Sequence, residues 1–226
     1  MSLSQIQKRS TAIFILVSLL DLAGIILNKF LLQEIAKPLL IPVLIILLKS
    51  SGSGMPHKNL LLAGLFFSWA GDIFLLFDRE YLQLFIFGLA CFLITHILYI
   101  CFFLRQQGKN TSLLSRRPWI VLLVIAFGVS LVVLLLPYLG ELKIPVITYA
   151  AVICTMLICS LHAFTRVPRP SGSWFVAGAA FFVLSDSLLA INKFYHPFAI
   201  GPELIMATYC LAQFGIVKGF LVTDKS

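Results

Sequence analysis

Two aspartates stand where hydrocarbon is expected. Asp72 lies in "GLFFSWAGDIFL" and Asp186 in "GAAFFVLSDSLL", and the stretches align without a gap, Gly64 on Gly178, Phe67 on Phe181 and Leu75 on Leu189. An ionisable group at the centre of a membrane helix costs about 3 kcal/mol even on insertion scales, and usually marks a function. Two carboxyls brought together in a low dielectric do not both ionise readily, so such a pair supplies an acid and a base at neutral pH. A third carboxylate, Asp21, has no counterpart in the aligned stretches.

Further polar groups follow each aspartate. His96 and Tyr99 are spaced i, i+3 and Tyr209 and Gln213 i, i+4, so each pair shares a helix face. Ser68 precedes Asp72 by one turn, and Ser185 adjoins Asp186. Seven residues beyond the aspartates, two turns and about 10 Å of rise on nearly the same face, come Arg79 and Lys193. A phosphate would fit such a pair of cationic mouths. Taken singly, Tyr99, Gln213 or Ser68 reads as packing glue, an interhelical hydrogen bond of about 0.6 kcal/mol; two aspartates in register ask for more. His57, His162 and His196 sit at or near span ends, leaving only His96 near the acids, so no metal site is expected. Cys91, Cys101, Cys154, Cys159 and Cys210 fall in apolar runs without C-x-x-C or Cys/His spacing and read as packing residues. No G-x-S-x-G elbow is present, which argues against a serine nucleophile.

The elements that position these groups are membrane spans. The 226 residues are 60% hydrophobic and only 12% charged, with a mean hydropathy of +1.03, outside the range of a soluble domain. Apolar runs predict eight spans, near Thr11–Asn28, Ala36–Leu48, Asn59–Phe77, Tyr81–Leu104, Pro118–Leu136, Ile144–Phe164, Ser173–Asn192 and Gly201–Val222. The second is the least regular, being short and holding Pro38 and Pro42. Solid apolar runs without alternation exclude a β-barrel, so the expected fold is an all-α bundle forming one transmembrane domain. The apolar run after Lys8 and Arg9 lacks a small-residue cleavage site and reads as an uncleaved first span. Of the 17 Lys and Arg, twelve fall on the face carrying the termini, which predicts cytoplasmic termini in a bacterial inner membrane. The same membrane placement explains the net charge of +8 without nucleic acid. The aligned aspartate stretches lie four spans apart and run in the same direction, which suggests a parallel duplication with halves 1–104 and 105–226.

"GLFFSWAGDIFLLF", "FIFGLACFLITHILYI", "GAAFFVLSDSLLAINKF" and "MATYCLAQ", together with Lys37-Pro38, resemble the YhhN-like family of membrane proteins, whose characterised members include lysoplasmalogenases. The resemblance covers most of the chain. It implies hydrolysis of the vinyl-ether bond of a lysoplasmalogen to a fatty aldehyde and a glycerophospho-headgroup, without a cofactor. It implies Asp72 and Asp186 as the catalytic pair. His96, Tyr99, Tyr209, Gln213 and Ser185 would support them, and Lys37, Arg79 and Lys193 would hold the phosphate of a lysophospholipid. A reading from another class stays open on the same residues: a proton-coupled carrier of lipid or small molecules would also place acids at middling depth in repeated halves.

Overall fold

The computed structural model describes residues 3–51, 57–77, 81–106, 108 and 110–223. Among these, the chain forms nine α-helices: α1 (Leu3–Ile26), α2 (Phe30–Lys49), α3 (Lys58–Leu76), α4 (Leu82–Leu104), the single turn α5 (Leu113–Arg116), α6 (Trp119–Leu135), α7 (Lys143–Ala163), α8 (Arg169–Ala190) and α9 (Gly201–Thr223). All but α5 are long and apolar enough to cross a bilayer. The protein is an all-α integral membrane protein with eight candidate spans. Two boundaries differ most from expectation. The first helix begins at Leu3, because the polar residues before Thr11 still close helical hydrogen bonds. The second begins at Phe30, not Ala36, and runs through both prolines.

The chain divides into two compact units, with the boundary between Phe102 and Phe103 in the last turn of α4. In the first, α2 packs against both α1 and α3. A tight turn joins α1 to α2, with Asn28 at φ 53°, a left-handed conformation that asparagine adopts more readily than most residues. The Gln33 amide closes the same hairpin by donating to the Gly24 carbonyl at 3.2 Å. Within α2, Pro42 has no N–H for the carbonyl four residues back, that of Pro38, and an unsatisfied carbonyl in hydrocarbon costs several kcal/mol. Trp69 of α3 repairs this: its indole N–H donates to the Pro38 carbonyl at 2.9 Å. The irregularity of α2 thereby becomes the point that fixes α3 beside it.

In the second unit α7 packs between α6 and α8, and α8 pairs with α9. Leu135 and Leu139 meet Val146 where α6 turns into α7. Lipid tails give no hydrophobic drive for helices to associate, so small residues that permit close backbone approach decide the crossings. Gly178 is such a point: a Cβ there would stand 2.8 Å from the Ile216 backbone nitrogen, and one on Gly215 would stand 2.9 Å from the Gly178 Cα. In the first unit Gly64 has the matching role, its bare α-carbon covered by the Tyr99 ring of α4. The hydroxyls of Ser18, Ser160, Ser187 and Thr208 donate to carbonyls three or four residues back on their own helices, satisfied locally as a membrane interior demands.

Replacing Trp69 by Phe leaves the Pro38 carbonyl without its donor and is expected to cost about 1–3 kcal/mol. Pro42→Ala restores the missing N–H, so the two changes together should cost less than their sum. A double-mutant cycle on thermal unfolding in detergent measures this; strict additivity would remove the pairing.

Candidate functional site

The functional side chains are built separately in each unit. In the first, Asp72 stands one turn before the end of α3, in the register Gly64, Ser68, Gly71, Asp72 that forms the buried face of this helix. Only 2% of it is exposed. Ser68 does not serve as a free hydroxyl: it lies 3.3 Å from the Thr95 hydroxyl, which is itself within 3.0 Å of the Gly64 carbonyl and 3.1 Å of the Cys91 carbonyl. Thr95, which its apolar surroundings kept inconspicuous in the sequence, is therefore what binds α4 to α3. His96 and Tyr99 are both fully buried on α4, Tyr99 against Gly64, two turns before Asp72.

Asp21 is the second buried acid of this unit, 1% exposed on α1. Neither of its oxygens has a hydrogen-bond partner among the described residues. Lys37, half-buried on α2, lies close enough for its charge to act on Asp21. The lysine expected at a phosphate-binding mouth thus has a carboxylate neighbour within its own unit, one the sequence reading did not connect to it.

In the second unit Asp186 is partly buried on α8, and its Oδ2 accepts a hydrogen bond from the Tyr149 hydroxyl of α7 at 2.6 Å. That length is typical of an O–H donor on a carboxylate. Tyr149 was not singled out in the sequence; the available signal was a phenol inside an apolar span, which must find a partner there. Ser185, adjacent in sequence, turns the other way and donates to the Ile205 carbonyl of α9 at 3.0 Å. Its contact ties α8 to α9. Tyr209 and Gln213 do share a face of α9, the Gln213 amide donating to the Tyr209 hydroxyl at 3.3 Å while the Tyr209 ring stands edge-on to Phe182 of α8.

The cationic mouths fare differently from their symmetrical expectation. Arg79 lies outside the described residues. Lys193 is exposed, but α8 gives way to a π-helical turn over Ile191–Tyr195. The wider turn breaks the 3.6-residue period, so seven residues no longer return Lys193 to the face of Asp186. No group of three or more His, Cys, Asp and Glu gathers as metal ligands would among the described residues.

Beside the Tyr149–Asp186 pair, α6, α7 and α8 line a small open recess of about 40 Å³. Most of its wall is aliphatic, with Leu131, Leu135, Val146, Ile153 and Val183 among the lining residues. The arrangement offers a hydrogen-bonded carboxyl at the edge of a hydrocarbon-lined hollow.

Eight membrane-length helices carrying carboxyls on buried faces define an integral membrane protein with ionisable groups inside its spans. More narrowly, the chain belongs to the YhhN family, which matches residues 32–220, as the G-D, H-x-x-Y, S-D and Y-x-x-x-Q motifs imply. It is 31% identical over 166 residues to lysoplasmalogenase TMEM86A of Bos taurus, covering 70% of this chain and 63% of that protein. With the Homo sapiens lysoplasmalogenase TMEM86A the identity is 32% over 163 residues, with the same two shares. A lysoplasmalogenase of Mycobacterium bovis is 29% identical over 170 residues, 73% of this chain and 61% of the relative. The chain thus spans somewhat under two thirds of the length of these curated relatives. No solved structure matches it.

The two partnered and unpartnered acids should respond oppositely to substitution. Tyr149→Phe takes a hydrogen bond from Asp186 and is expected to destabilise by about 1–3 kcal/mol. Asp21→Leu made together with Lys37→Met replaces a buried carboxyl lacking hydrogen bonds, and the charge beside it, by apolar groups and should be neutral or stabilising by up to about 4 kcal/mol. Thermal unfolding of both proteins in the same detergent checks the contrast; a strongly destabilised Asp21→Leu/Lys37→Met protein would show that the Asp21 carboxyl is satisfied.

Proposed function

We propose that the protein is a membrane-embedded hydrolase that cleaves the vinyl-ether bond of lysoplasmalogens, with Asp72 and Asp186 as its acid and base. The observation that carries this reading is the kinship with lysoplasmalogenases over most of the chain, in a matched family region that includes both aspartates. What the relatives' names say they act on becomes, in this chain, a requirement that its own residues must meet.

Vinyl-ether hydrolysis begins with proton transfer to the carbon remote from oxygen. The C=C π electrons form the new C–H bond, leaving an oxocarbenium ion, which captures water at the carbon next to oxygen. Loss of a proton from that water gives a hemiacetal, and breakage of its C–O bond releases the aldehyde and the glycerol hydroxyl of the headgroup. One water is consumed. The step needs a protonated acid near the alkene and a negative group near the cation, which then takes the proton from water. Paired-carboxylate glycosidases face an oxocarbenium-like transition state with the same two tools. In this scheme one aspartate is the acid and the other the carboxylate, and the Tyr149 hydroxyl, which donates to Asp186, holds that carboxyl in a fixed orientation. His96, Tyr99, Tyr209 and Gln213 orient the acids and the water, and Lys37 and Arg79 receive the headgroup phosphate.

Both termini are placed on the cytoplasmic side of a bacterial inner membrane, since twelve of the 17 Lys and Arg fall on that face. The halves 1–104 and 105–226 are read as repeats, supported by the glycine eight residues before each aspartate, which is closely covered in both units.

Purified protein incubated with a lysoplasmalogen should release fatty aldehyde, detected by mass spectrometry. General acid and base groups contribute about 10²–10⁴-fold, and Asp72→Asn and Asp186→Asn should each lower turnover in that range while folded protein still binds lysolipid. Folded protein that releases no aldehyde would overturn the assignment; lipid or proton flux in vesicles without product would favour a carrier.

A further inference from the structure

Seven arginines occur in the chain, and five of them, Arg105, Arg116, Arg117, Arg166 and Arg169, fall at one end of the second unit, where α4 ends, α5 and α6 begin and α7 passes into α8. No acid answers them nearby in sequence. From Phe103 to Gly140 and from Lys143 to Ser185 there is neither Asp nor Glu. Arg105, Arg116, Arg117 and Arg169 are exposed, and Arg166 is half-buried. Orientation in a membrane asks for cations at one end of a bundle, but lysine serves that purpose as well as arginine, and the ten lysines show no such gathering. The choice of guanidinium needs a second reason.

These arginines are mounted on a fixed scaffold. The Thr165 hydroxyl, just beyond α7, donates to the Thr111 carbonyl at 2.9 Å, and the Asn110 amide donates to the Thr165 carbonyl at 3.1 Å. Two loops are thereby pinned together. Gly108 lies so close to the Arg166 main chain that a Cβ there would collide with it. Arg116 Nε donates to the Thr111 hydroxyl at 2.9 Å, so Arg116 and Arg166 adjoin the same Thr111–Thr165 junction from different loops. That bond uses one of the five N–H donors of Arg116. The Nε of Arg166 is buried and has no hydrogen-bond partner among the described residues. Positive donors held together without a carboxylate to receive them suit an anion.

Depth identifies the anion. Trp119, two residues after Arg117, is 52% exposed, and Trp174, five after Arg169, is 39% exposed. Indole rings at the ends of membrane spans settle among the lipid headgroups. The arginines beside them therefore stand at the level of the lipid phosphates, which a planar guanidinium takes in bidentate fashion and an ammonium does not.

We propose that this end of the second unit is a binding site for the headgroup of an anionic phospholipid, with Arg116 and Arg166 at its centre and Arg117 and Arg169 at its rim. A zwitterionic lipid brings the same phosphate with a cationic group beside it, which the surrounding arginines repel. The site is independent of the hydrolase reading: Asp186 lies 17 residues along α8 from Arg169, about 25 Å away along the helix axis.

The test titrates the full-length protein in neutral detergent with phosphatidylglycerol or with phosphatidylcholine of the same chains, and counts bound lipid by native mass spectrometry. A cation facing an anionic headgroup contributes about fivefold, so phosphatidylglycerol should bind at least about tenfold tighter. Arg116→Gln/Arg166→Gln should abolish that preference. The exposed pair Arg117→Gln/Arg169→Gln should weaken it, which keeps the test available if the central pair unfolds by its thermal transition. Arg116→Lys/Arg166→Lys keeps the charge but loses the fork, and should bind phosphatidylglycerol several-fold more weakly than the unaltered protein. Lys49→Gln, which removes an exposed cation of the first unit, should change nothing. Equal affinity for the two lipids, an undiminished lysine variant, or an equal loss on Lys49→Gln would overturn the proposal. So would displacement of the lipid by excess glycerol 3-phosphate, which would make the ligand a soluble phosphate.

Discussion

A polar group in hydrocarbon must find its hydrogen bonds within the protein, because the surroundings offer none. That constraint organises both units. It brings the Trp69 indole to the carbonyl exposed by Pro42, sends serine and threonine hydroxyls back to their own helices, and sets the Tyr149 phenol on the Asp186 carboxyl. Asp21 stands apart, with a nearby lysine charge but no hydrogen bond among the described residues. The contrast separates acids by environment: Asp186 is held in a fixed geometry and partly open to a hollow, whereas Asp21 is enclosed without such a restraint.

The second constraint is how closely helices can approach when no hydrophobic gain draws them together. At Gly178 and Gly215 the backbones of α8 and α9 come near enough that a methyl group would collide with main-chain atoms. Ser185 then reaches the Ile205 carbonyl and Phe182 meets the Tyr209 ring. Small residues thereby set the rotation of α8 about its axis, and that rotation directs Asp186 away from α9's glycine seam and toward α7. The placement of the aspartate depends on a glycine two turns distant.

The spans were legible because twenty apolar residues in a row have few folded alternatives. The prolines of α2 were misleading, since sequence shows the lost N–H but not the tryptophan that answers it; the helix is accordingly longer than its apolar run suggested. Asp72 and Asp186 were visible because charge is rare in such runs. Tyr149 was hidden because a phenol is amphipathic and blends with packing aromatics until its partner is known. Lys193 shows the limit of periodicity: the spacing argument held only while α8 stayed α-helical, and the π-turn at Ile191 ended that. Ser185 and Ser68 read as neighbours of the acids by position, yet their hydroxyls serve the contacts between helices.

The burial of α9 also bears on biosynthesis. Its inner face, from Met206 through Tyr209 and Gln213 to Phe220, is covered by protein to a degree no other span matches. Until the ribosome has delivered this segment, α8 rests in the membrane with its glycine notch empty and the Ser185 hydroxyl short of its carbonyl. The second unit is therefore finished only once α9 has entered the membrane, and a chain arrested before it would leave that seam unsealed.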